Sequence, residues 1–164
     1  MNIVLIGMSG AGKSTLGVLL AKALGMDFID TDLVIQQQEG RLLQEIIDHD
    51  GIDKFMETEE KIVSELELEN CIISTGGSVI YSNKAMNALK QVGHIVYLHV
   101  PYEEIQRRLI NITTRGIVMK KGNSLKDVYE ERVPLYMKYS DRTFDCSNKD
   151  IEHCVSEIIE SMKK

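Results

Sequence analysis

An excess of basic residues is missing from this chain. Its 19 lysines and arginines face 25 aspartates and glutamates, a formal net charge of −6, which argues against a dedicated nucleic-acid binder. No apolar run approaches the roughly 20 residues that a membrane-spanning helix needs. No cationic segment or cleavage site precedes the first apolar stretch, so no export signal is read and a cytoplasmic location is expected. Cysteine is scarce: Cys71, Cys146 and Cys154 are odd in number and lack metal-ligand spacing, as reduced thiols do. His49, His94, His99 and His153 are too scattered for a metal site. Repeats, linkers and low-complexity stretches are also absent. The 164 residues suit one soluble domain, 1–164, with a real core, and a monomer is expected.

What is present is concentrated near the N-terminus. Gly7-Met8-Ser9-Gly10-Ala11-Gly12-Lys13-Ser14 fits the phosphate-loop pattern G-x-x-x-x-G-K-[ST]. Ile3–Ile6 before it reads as a buried strand. Leu16, Leu19, Leu20, Ala23 and Leu24 after it fall at helical spacing. In that context the loop's N–H groups, Gly10, Ala11 and Gly12 among them, turn toward a phosphate, and the helix N-terminus adds partial positive charge. Lys13 reaches the outer phosphates, the Ser14 hydroxyl is a Mg²⁺ ligand, and Thr15 completes the nucleotide-binding set.

Strands then alternate with helical patterns: Phe28-Ile29, Cys71–Ser74, Ile95–Leu98 and Thr143–Cys146 are the later strands. The helical region after the second strand breaks near Glu39-Gly40 and near Asp50-Gly51, and its last piece carries Phe55, Ile62, Val63 and Leu66 on one face. Ser82 and Ser124 are candidate N-caps. Pro134 should kink or end the helix that contains it. Such alternation predicts an α/β fold with a parallel sheet covered on both faces, and ligands at the C-terminal ends of its strands.

Three features lie at such ends: the phosphate loop, Asp30-Thr31-Asp32 and Gly76-Gly77. In extended backbone Asp30 and Asp32 point the same way, one toward a metal's water shell and the other toward an acceptor hydroxyl; a plain helix cap is the bland alternative. Gly76-Gly77 lets backbone approach a ligand, or is simply a turn. Arg108, Arg115 and Arg132 flank a polar segment with Gly116 and Gly122, which reads as a lid over a nucleotide. Arg107 and Lys120-Lys121 read as solvated surface. So does Glu57-Thr58-Glu59-Glu60, as the wet face of a helix.

With these motifs in order, the chain resembles the shikimate kinases nearly end to end. The resemblance implies a three-layer P-loop NTPase fold like that of the nucleoside-monophosphate kinases, with a five-stranded parallel sheet of order 2-3-1-4-5. It also implies substrate-binding helices at about 33–68 and a lid at about 112–124. The implied activity is ATP- and Mg²⁺-dependent phosphorylation of shikimate to shikimate 3-phosphate, a step of aromatic amino acid biosynthesis. The implied partners are ATP and a small carboxylate, with no nucleic acid or membrane. By that resemblance Asp30 sits near Mg²⁺, Asp32 on the substrate hydroxyls, Arg115 on the phosphates, and Arg108 and Asn148 near adenine. Arg132, in Arg132-Val133-Pro134-Leu135-Tyr136, grips the substrate carboxylate, and Gly76-Gly77 belongs to a glycine-rich substrate loop.

Three positions depart from the family pattern. F-R-x-x-E reads Phe55-Met56-Glu57-Thr58-Glu59, the third glycine of the substrate loop is Ser78, and the lid's Arg-Pro-Leu is Arg115-Gly116-Ile117. Met56 removes an arginine from the substrate site and leaves Glu59 without its expected cation. That opens a second acceptor class, a hydroxylated amino acid such as homoserine with its ammonium at Glu59. A nucleotide-dependent regulatory binder is a third reading, although no N-K-x-D guanine signature of a GTPase is present.

Overall fold

The computed structural model describes residues 1–110 and 117–164. Its five strands are β1 (Asn2–Ile6), β2 (Asp27–Asp30), β3 (Cys71–Ser74), β4 (Gly93–His99) and β5 (Arg142–Asp145). They form one sheet of order β2-β3-β1-β4-β5, and every neighbouring pair is parallel. Sheet type and order are those expected.

The central strands are apolar because both faces are covered. All five residues of β1 are buried, as are all four of β3. The helices are α1 (Lys13–Leu24), α2 (Thr31–Glu39), α3 (Leu43–Asp50), α4 (Ile52–Ser64), α5 (Asn83–Val92), α6 (Tyr102–Ile110), α7 (Leu125–Tyr139) and α8 (Ile151–Met162). Both predicted caps are made: Ser82 Oγ accepts from Ala85 N at 3.0 Å, and Ser124 forms a reciprocal capping box with Asp127. Among the described residues no helix is long and apolar enough to cross a membrane. All three cysteines are buried and none forms a disulfide.

One local expectation fails for a physical reason, and a second is narrowed. On α1 the buried face is Leu16, Gly17, Leu20 and Ala21, not Ala23 and Leu24. Gly17 lies so close to β2 that a β-carbon there would stand 2.7 Å from the Phe28 ring, so the helix turns its glycine to the sheet. α7 runs through Pro134 instead of ending there. Pro134 and Glu130 are both exposed, so the turn that lacks an i→i−4 bond lies at the protein surface.

A second, smaller apolar cluster sits off the sheet. Ile35, Leu43, Ile46, Phe55 and Ile62 from α2, α3 and α4 enclose Val118, with Met56 at its margin. This cluster holds the segment after residue 116 against the helices that follow β2. The site is thereby bordered on the side away from the sheet.

Candidate active site

Parallel strands put the loops after β1, β2 and β3 at one end of the sheet, and the side chains there converge. A crevice of about 190 Å³ is bordered by Ser9, Gly10, Gly12, Lys13 and Ser14 from the phosphate loop, and by Asp30, Asp32, Gln36, Leu43, Thr75 and Gly77. All three strand-end features found in the sequence contribute to it.

On the loop side, Gly10 and Gly12 have φ of +85° and +91°, backbone that turns N–H groups inward and that side chains resist. Ala11 is buried beside them and Thr15 is exposed at the start of α1. Lys13 is 7% exposed, and its Nζ donates to the carbonyls of Gly7 and Met8, both at 2.8 Å. Arg108 on α6 donates through Nη1 to the Gly10 carbonyl at 2.9 Å and through Nε to Glu104 at 3.1 Å. Asn148 occupies the turn after β5 in left-handed backbone, φ +54°. Arg107 pairs with Glu104 at the surface, as expected of a solvated arginine.

The two aspartates do different things. Asp30 Oδ1 accepts from the Asp32 amide at 2.9 Å and so caps α2. Its Oδ2 accepts from the Ser14 hydroxyl at 2.5 Å, and Ser74 Oγ stands 3.3 Å from that hydroxyl. Capping and site-building are therefore joined in one carboxylate. The result is a set of hard oxygen donors directly beside the phosphate loop, the chemistry that suits a Mg²⁺-sized divalent cation.

Gly76 and Gly77 are closely surrounded by side chains of the site. A β-carbon on Gly76 would lie 2.7 Å from Asp32 Oδ1 and 2.8 Å from Glu59 Oε2; one on Gly77 would lie 2.9 Å from Arg132 Nη1 and 3.2 Å from Ser9 Oγ. The glycine loop is thus wedged between two carboxyls on one side and a guanidinium and the phosphate loop on the other. Thr31 Oγ1 accepts from the Gly76 amide at 3.3 Å, and Tyr136 donates to the Gly77 carbonyl at 2.6 Å.

Arg132 is 1% exposed. Its Nη2 donates to the Val118 carbonyl at 2.6 Å and its Nε to the Tyr81 hydroxyl at 3.4 Å, and its guanidinium lies 5.4 Å from the Tyr81 ring centre. Glu59 is only 3% exposed, so the wet-face reading holds for exposed Glu57 and fails two residues on, on the opposite side of the helix. Burial, and next the Asp32 carboxylate, push the Glu59 carboxyl up to about 7; the Ser78 hydrogen bond and Arg132 oppose that rise. Met56 is half-buried and makes no polar contact with Glu59; it packs at the edge of the small cluster. Arg115 and Gly116 lie outside the described residues.

A family model described as shikimate kinase matches residues 9–163. The chain belongs to the shikimate kinase family. A shikimate kinase of Clostridium botulinum (strain Loch Maree / Type A3) is 39% identical over 99% of this chain and 96% of its own length. One of Haemophilus influenzae (strain PittEE) is 35% identical over 97% and 91%. Among solved structures, shikimate kinase from Acinetobacter baumannii in complex with shikimate superposes with a TM-score of 0.91 at 29% identity, over 98% of this chain and 92% of that one. The Aquifex aeolicus enzyme gives 0.85 at 33% identity, over 99% and 96%. As a shikimate kinase family member the protein is an ATP-dependent phosphotransferase acting on an alcohol.

Sequence reasoning gave no role of their own to four contributors to this site, Thr31, Ser78, Tyr81 and Tyr136, although it quoted all but Tyr81 within its motifs. The signal for one was available. Arg132 and Tyr136 are four residues apart on α7 and share a face, so a functional Arg132 implied a buried Tyr136. Nothing in the local sequence marks the role of Ser78 or Tyr81, because each acts across a tertiary contact.

Proposed function

We propose that this protein transfers the γ-phosphoryl group of ATP to a ring hydroxyl of shikimate, giving shikimate 3-phosphate. The observation that carries this reading is the position of Gly77, between Ser9 of the phosphate loop and the Arg132 guanidinium, with Gly76 against Asp32. A carboxylate held by Arg132 leaves the rest of a small ring within reach of Asp32 and of the phosphates.

In this assignment Lys13 and the N–H groups around Gly10, Ala11 and Gly12 bind the phosphates, with Thr15 at their edge. Asp32 orients the acceptor hydroxyl and takes its proton as the O–P bond forms and ADP departs. Ser14 and, through water, Asp30 would hold Mg²⁺, which when bound neutralises charge on the phosphate oxygens. Arg115 is assigned to charge that develops in transfer, and Arg108 and Asn148 to the adenine side. Gly76, Gly77, Met56 and Glu59 line the acceptor side. The substrate-binding helices are assigned to 33–68 and the lid to 112–124, within a single kinase domain spanning 1–164. One chain supplies every residue given a role, so a monomer suffices, and the cytoplasm is the proposed location.

The unpartnered Glu59 oxygen favours a second reading, an acceptor bearing an ammonium group, such as homoserine. A coupled ADP-release assay over shikimate, homoserine, gluconate and nucleoside monophosphates separates the two. ADP release that depends on shikimate supports the first; release that responds to homoserine and not to shikimate overturns it. Slow release indifferent to every hydroxyl compound would mean a nucleotide-dependent regulator.

A further inference from the structure

Met56 and Ser78 are far apart in sequence, yet both bear on one carboxyl group. Glu59 Oε1 accepts from the Ser78 hydroxyl at 2.8 Å in the protein interior. Glu59 Oε2 has no hydrogen-bond partner among the described residues and faces the same point beside Gly76 as Asp32 Oδ1. Position 56 precedes position 59 by three residues on α4, so the two side chains are helical neighbours. Methionine there offers neither charge nor proton. Arg132 is the cation that acts on Glu59, but it donates to the Val118 carbonyl and the Tyr81 hydroxyl. A buried carboxyl without a donor is expensive, and Ser78 is the donor that Glu59 has.

We propose that Ser78 is a positioning residue of the acceptor side: its hydroxyl stands in for a cation at position 56, ties Glu59 on α4 to the glycine loop, and so fixes Gly76 and Gly77 between Asp32 and Arg132. The assignment of those atoms to the acceptor rests on the reading above. A cation at position 56 makes the Ser78 hydroxyl dispensable; without one it is required. Space for a longer side chain exists, because Met56 borders a cavity of about 130 Å³ shared with Ile52, Tyr81, Val118 and Glu131.

The test is a double-mutant cycle of Ser78→Ala and Met56→Arg in the full chain, read by melting temperature and by steady-state kinetics. Ser78→Ala alone should lower the melting temperature by about 3–6 °C and raise the KM for shikimate roughly fivefold to tenfold. The KM for ATP should hold, and kcat should change by less than about threefold. In the Met56→Arg background both effects should largely disappear. Equal effects in the two backgrounds overturn the proposal, as does a matching rise in the KM for ATP, which marks general damage. If Met56→Arg does not fold, Glu59→Met replaces it: Ser78→Ala should then cost no stability, and an undiminished loss overturns the proposal. If the wild type does not phosphorylate shikimate, the acceptor reading fails on its own, and the coupling of melting temperatures still decides whether Ser78 substitutes for a cation.

Discussion

The phosphate cradle and the acceptor side meet in one crevice but are built on opposite plans. In the proposed assignment the cradle comes from one contiguous stretch between β1 and α1, and much of its work falls to backbone N–H groups, Lys13 and Ser14. The acceptor side takes Asp32 from the start of α2, Glu59 from α4, the glycine loop from the end of β3, and Arg132 and Tyr136 from α7. Backbone geometry is set by a handful of glycines and leaves little room for exchange. Side chains from separate elements depend on tertiary contacts: Glu59 on α4 is held by Ser78 of the glycine loop, while Met56, three residues earlier on α4, packs against the small cluster.

The sharpest way to break this contrast is at Lys13. Lys13→Ala should lower kcat by a factor on the order of 10³ or more, with a circular-dichroism melt close to that of the wild type. Full turnover would remove the cradle from the account.

On the other side, Glu59 should leave a mark on stability. The folded protein holds the Glu59 proton up to about pH 7, whereas its ordinary value is 4.5. Between those values the folded state binds more protons than the unfolded chain, so this group's contribution falls as pH rises through that window. The full span corresponds to a loss on the order of 3 kcal/mol. Urea melts at about pH 4.5 and pH 8 should show Glu59→Gln gaining on the wild type at the higher pH. Parallel curves would mean that Glu59 carries no such penalty.

A smaller effect is expected at Arg132. Arg132→Lys keeps the charge but loses the planar fork, so the KM for shikimate should rise by roughly tenfold while the KM for ATP holds. Equal changes in both would blur the two sides. Smallest of all, Met56→Arg should lower the KM for shikimate by a few-fold, roughly 1 kcal/mol or less. No change would make Met56 plain packing at the edge of the small cluster.

Much of this architecture was legible in the residues. β1, β3 and the middle of β4 are short apolar runs, and the phosphate loop states its own geometry. Less legible was anything decided by three-dimensional proximity. Gly17 faces the sheet because the Phe28 ring comes close, which no helical periodicity announces. Glu59 sits in an acidic run that local pattern assigns to solvent, and only packing against the glycine loop buries it. Pro134 reads as a helix breaker, yet it lies on an exposed turn and the helix continues past it. In each case a tertiary contact or its absence overrode a local rule.

Phosphorus NMR of the protein with Mg²⁺, ATP and shikimate tests the central claim most directly, because it follows where the γ-phosphorus goes. The account predicts a new phosphate-monoester resonance growing in step with ADP and absent when shikimate is left out. Inorganic phosphate alone, formed at the same rate with and without shikimate, would contradict it.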